Sequence, residues 1–95
     1  MSTVENTLEE RGKRYGDFKG HADITITFKK LQRGFALSKG CVLTPSQQEA
    51  LDMIFHKIGR ILNGDPNYAD SWHDIAGYAT LVEKELNNGN ETHSP

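Results

Sequence analysis

Residues 44–86 read TPSQQEALDMIFHKIGRILNGDPNYADSWHDIAGYATLVEKEL, and this stretch decides the fold. Thr44 stands where a helix N-cap belongs, Pro45 suits the first helical position, and Gln47 sits where a capping box needs an amide. Leu51, Ile54, Phe55, Ile58, Ile61 and Leu62 then form one apolar face at helical spacing. Asn63-Gly64 closes that helix, with Gly64 as its C-terminal cap. Gly64-Asp65-Pro66-Asn67 is a turn whose side chains satisfy turn amides and whose proline presets the backbone. A second helix starts at Asp70 or Ser71 and carries Trp72, Ile75, Ala76, Ala79, Val82 and Leu86 on one side. Asn87-Asn88-Gly89 is expected to stop it. The stretch is therefore an antiparallel helical hairpin.

Upstream, Ser38–Val42 reads as a loop. The run from His21 to Leu37, HADITITFKKLQRGFAL, is ambiguous at first sight. Ile24, Ile26 and Phe28 alternate as in a strand, whereas Ile24, Phe28, Leu31 and Phe35 recur at helical spacing over a longer window. No second alternating run exists to pair with a lone strand, so the segment is expected to be a helix ending near Gly34. Thr3–Arg14 forms the first helix, with Glu5, Glu9 and Glu10 early and Lys13 and Arg14 late, in the order a helix macrodipole favours. The expected architecture is all-α: a small bundle of about four helices in a single domain, residues 1–87, ending in the hairpin. Residues 88–95 read as a disordered polar tail.

The chain has 95 residues, of which 36% are hydrophobic. That falls below the ~45–50% usual for globular chains, so the core is expected to be completed by homo-oligomerisation. Eleven basic residues against 13 acidic ones leave a net charge of −2. Such a balance disfavours duplex nucleic acid, which recruits basic stripes. The lone Cys41 excludes an intramolecular disulfide framework. No apolar signal core or membrane-length segment is visible, so the expected compartment is the cytoplasm, the host's if the gene is carried by a phage.

Glu49, Asp52, His56 and Arg60 share one stripe of the first hairpin helix, opposite its apolar face, and read first as a solvated surface. The second helix differs. Asp70, Asp74, Gly77, Tyr78 and Leu81 lie opposite its apolar side, and glycine, tyrosine and leucine beside two aspartates imply that this side is covered too. Half-covered carboxylates need a partner or a cation. Glu49, Asp52, Asp70 and Asp74 on two antiparallel helices can hold hard divalent ions such as magnesium; Asp70 can equally serve as the helix N-cap. In Lys13-Arg14-Tyr15-Gly16-Asp17-Phe18, two cations flank aromatics on a flexible backbone, a set able to meet phosphate and stack on a base. The competing role is a helix-ending turn whose aromatics plug the core. Lys57, Arg60 and Tyr78 are further candidate phosphate or nucleotide contacts. His73-Asp74, with His21 and His56, invites comparison with the histidine–aspartate phosphohydrolases.

Glu49-Ala50-Leu51-Asp52 followed by Asp70-Ser71-Trp72-His73-Asp74 resembles a degenerate metal motif of the all-α nucleoside triphosphate pyrophosphohydrolases, the MazG and dUTPase-like superfamily. Asp52 stands where that pattern has glutamate, and Ser71 stands where its third acid would fall. Glu10–Phe18 together with Leu43–Val82 is similar to a family of small bacteriophage and prophage proteins of unassigned function. The resemblance implies a magnesium-dependent nucleotide-binding protein. The alternative it implies is a non-enzymatic phage effector that binds a host protein or sequesters a nucleotide signal.

Overall fold

A computed structural model describes residues 3–93. It contains four helices, α1 (Thr3–Tyr15), α2 (Phe18–Lys39), α3 (Pro45–Asn63) and α4 (Ala69–His93), and no strand among the described residues. The expected all-α architecture and its hairpin are observed.

The start of α3 follows its sequence closely. Thr44 Oγ1 accepts from the Gln47 amide at 3.1 Å, and the Thr44 amide donates to Gln47 Oε1 at 3.0 Å. α2 departs from expectation at its end, passing through Gly34 to Lys39. A glycine within a helix costs only ~1 kcal/mol, which neighbouring turns absorb. Termination falls instead at Gly40, whose φ of 65° closes a left-handed cap: its amide donates to Leu37 O and that of Cys41 to Ala36 O. α4 likewise runs through Asn87-Asn88-Gly89 to His93, past the expected stop. Gly16 and Gly40 hold the positive-φ conformations recorded for this chain, and Gly89 does not adopt the left-handed geometry that ends helices. Residues 94 and 95 lie outside the described residues.

α2, α3 and α4 lie side by side, each antiparallel to the next, as Arg33–Asp52 and Lys57–Asp74 show. α3 is central; α4 packs on α3 alone, and α1 meets α2 and α3 at one end. The result is a layer measuring 61 × 29 × 24 Å. Its radius of gyration is 16.6 Å, against about 12 Å for a compact chain of this length. The buried hydrophobic side chains are few, Ala50 and Ile61.

Helical geometry accounts for the thin core. α2 turns His21, Thr25 and Gln32 toward α3 and leaves Leu31 and Phe35 open. α4 turns Ser71, Asp74, Tyr78 and Val82 inward and leaves Trp72, Ala76, Ala79 and Leu86 open. Of the side expected to be covered, Asp74 and Tyr78 are partly covered by α3, whereas Asp70, Gly77 and Leu81 are exposed. The stripe Asp52–His56–Arg60, expected to face solvent, lies instead along the seam with α2.

Candidate functional site

The site begins at a corner. Gly16-Asp17 links α1 to α2, and Gly16 adopts φ 77° with its Cα directly against the Asn63 backbone, where no Cβ fits. Asn63 Nδ2 donates to Tyr15 O and to Asp17 O, each at 2.8 Å. The Asp65 amide donates to Arg14 O at 2.6 Å. Asp17 then caps α2 by accepting from the Gly20 amide at 3.2 Å. These bonds fix the α1–α2 corner on the end of α3.

Between them opens a cleft of about 390 Å³, whose lining includes Arg11, Tyr15, Phe18, His21, His56 and Arg60. That volume lies in the usual range for small-molecule pockets. Phe18 stands at the rim with 81% of its surface exposed. The Arg60 guanidinium lies 4.2 Å from the centroid of the Tyr15 ring, a cation–π contact that holds it in place while leaving its donors free of any ion pair among the described residues. Tyr15 also meets Tyr68 edge-on at 6.1 Å. Its ring is therefore committed to supporting Arg60.

Deeper in, His21 Nε2 and His56 Nδ1 lie 3.2 Å apart with the rings perpendicular. Burial lowers the pKa of both, helped by the Arg60 charge; His56 falls to about 4. Both imidazoles are therefore neutral at pH 7, and one donates its N–H to the other. His21 is 7% exposed, and its Nδ1 is buried beside Gly59 without a well-formed hydrogen bond. Gly59 makes this approach possible, since a Cβ there would overlap Thr25 and press on His21.

Of the phosphate and nucleotide candidates, Tyr15, Phe18 and Arg60 meet in the cleft. Arg14 does not: it pairs with Glu10 at 2.8 Å and lies over the Tyr68 ring. Lys13 is exposed on the far side of α1. Lys57 binds Asp74 at 2.9 Å, which draws the Asp74 pKa down, and Tyr78 lies beside Asp74 in a separate shallow groove. Arg11 is a residue of the cleft that sequence reasoning missed, and His21 and His56, considered only as partners of His73-Asp74, pair here instead with each other. His56 shares a stripe with Arg60, and that spacing was the available signal.

The four acids do not fit one magnesium ion. Asp52 faces α2, bound by Arg33 at 3.1 Å and by Gln48 Nε2 at 3.0 Å. Asp74 faces α4's seam with Lys57, Asp70 accepts from Tyr68 Oη at 3.0 Å, and Glu49 is exposed. Asp70 lies inside the first turn of α4, one residue past its first position, and is not its N-cap. Among the described residues, no three histidine, cysteine or carboxylate side chains gather as metal ligands. His73 is exposed on α4 and lines a different groove from the His21–His56 pair, so the histidine–aspartate set is not gathered in one site.

Fold and site together define a small all-helical protein with an aromatic-rimmed cleft at a helix corner, lined by Arg11 and Arg60 and also by Asp17. Residues 1–86 match the family described as Domain of unknown function (DUF6378), and the chain belongs to that family. No curated protein and no solved structure matches it.

Proposed function

We propose that this chain binds a nucleotide, or a nucleotide-derived phosphate ligand, in the cleft between the α1–α2 corner and α3, and holds it without hydrolysis. The observation that carries the reading is the juxtaposition of exposed Phe18 with Arg11 and Arg60 around one opening. An exposed aromatic offers a stacking surface for a base. Two guanidinium groups offer the forked donors that match phosphate oxygens. The neutral histidine pair contributes donors or acceptors without adding charge.

Separation of the four acids, each already engaged or exposed, favours retention of the ligand over its cleavage. That agrees with a sequestering role, the alternative raised by the resemblance to phage proteins. Titration calorimetry with ATP, dATP and pyrophosphate tests the proposal. Binding of the nucleotides is expected, and Arg60→Ala should weaken it by about tenfold to a hundredfold, the loss of a charge-assisted contact worth ~1.5–3 kcal/mol. Phe18→Ala should weaken nucleotides but spare pyrophosphate. Absence of binding to any of the three would end the reading, and magnesium-dependent pyrophosphate release, abolished in Asp74→Ala, would restore the hydrolase.

A further inference from the structure

The open stripes of α2, α3 and α4 share one side of the layer. Phe28 of α2 stacks on Phe55 of α3, with ring centroids 5.9 Å apart and planes 3° from parallel, which places the flank bearing Leu31 and Phe35 on the Phe55 side. Leu51 of α3 shares a groove with Ala79 and Val82 of α4, which places the Trp72–Ala79–Leu86 flank on that same side. At ~100° per residue, Leu51, Phe55 and Leu62 point the same way from α3. Leu31, Phe35, Leu62, Trp72 and Leu86 are each more than half exposed on this face.

Charge is partitioned oppositely. Arg33, Lys57, Arg60, Asp74 and Lys84 project to the other side by the same geometry, where Ile26, Leu37 and Leu81 stand singly among them, while Lys30 sits at the α2 edge beside Leu31 and Phe35. Within α2–α4 the charges on the apolar side are few, Glu83 of α4 and Lys39 in the last turn of α2. The layer is therefore half of a sandwich, apolar on one face and charged on the other.

We infer that a second copy of this chain covers the apolar face, packing layer against layer. Area supports that occupant. The chain exposes 6998 Å², whereas a compact chain of this size exposes about 5,500 Å². The excess exceeds the ~800 Å² per partner that a stable interface buries. An unlike partner would find almost no charge pattern to read, whereas a second copy presents an apolar face of the same extent and shape, as a two-fold interface requires. The cleft opens on the other side of α3, at His56 and Arg60, and stays accessible in the pair. The inference thus stands or falls independently of the nucleotide.

Sedimentation equilibrium of the full chain over a range of concentrations tests this. A dimer or an even multiple is expected, with Trp72 emission shifting to longer wavelength on dilution as the face is released. Leu31→Glu and Leu62→Glu, both at exposed positions, should each yield monomers of unchanged circular dichroism, whereas Lys84→Glu on the charged side should leave assembly intact. A monomer at every concentration overturns the inference, as does assembly that survives both substitutions. A monomer that instead sediments with lipid vesicles, or with a host protein, also overturns it.

Discussion

The two seams of α3 are built from different materials. Toward α4 the contact centres on Ala50, Ile54, Ile61 and Val82, with Lys57–Asp74 and Ser46–Glu85 bridging its edges. Toward α2 it is mainly polar, running through His21–His56, Gln32–Gln48 and Arg33–Asp52, with Thr25 against Gly59 and one apolar contact, the Phe28–Phe55 stack. An apolar seam gains its free energy from buried area and tolerates sliding. A polar seam gains little net free energy per bond, yet each pairing fixes register. The register it fixes is that of the cleft, which hangs from the same two helices.

This contrast is most sharply tested by truncation. Ile61→Ala should lower stability by about 2–4 kcal/mol in urea unfolding, because it opens a cavity in the small core. Thr25→Ala, though Thr25 is equally buried, should cost less, about 1–2 kcal/mol, from its hydroxyl bond to Ala22 O and the one methyl group it packs beside Gly59. Equal losses would erase the distinction between the seams. Gly59→Ala comes next: overpacking against Thr25 and His21 costs about 1–3 kcal/mol, offset by ~1 kcal/mol of helix propensity. Ligand affinity should fall with it, since the α2 side of the cleft is displaced.

The last test is pH dependence, centred on the histidines of the α2 seam. The His56 pKa is lowered on folding, from 6.5 to about 4, and that of His21 is lowered as well. The unfolded chain therefore binds more protons between these values, so the stabilisation is complete above about pH 6.5 and is lost as pH falls toward 4. The positive charges of Arg60 and Lys29, and for His56 that of Lys57, reinforce the direction. Thermal melts from pH 7 to 4 should show a declining Tm that flattens in His56→Gln, and an unchanged slope in that variant would remove the histidines from the account.

Residues whose structural role is local were readable in the sequence. Thr44, Pro45 and Gln47 announced the start of α3 because a capping box is complete within four positions. The end of α2 was not, because Gly34 and Gly40 look alike until a left-handed φ distinguishes them. Apolar periodicity located the stripes of α2 and α4 but carried no information on what covers them. In a closed bundle those stripes would meet α3; in this layer they lie beside the seams. The Asp52–His56–Arg60 stripe misled for the same reason. Tyr15, Phe18 and Arg60 were individually legible, whereas Arg11 joins them only because the α1–α2 corner docks onto the end of α3, a long-range consequence of Asn63.

That docking makes two surface turns into one clasp. Surface turns usually absorb insertions freely. Here Gly16 abuts the backbone of Asn63, Gly64 abuts that of Arg14 and Tyr15, and Asn63 binds the carbonyls on either side of Gly16. One added residue in either turn would pull the halves out of step. The connection through Cys41, Val42 and Leu43 carries no such lock, so it is where a tag or a grafted loop belongs.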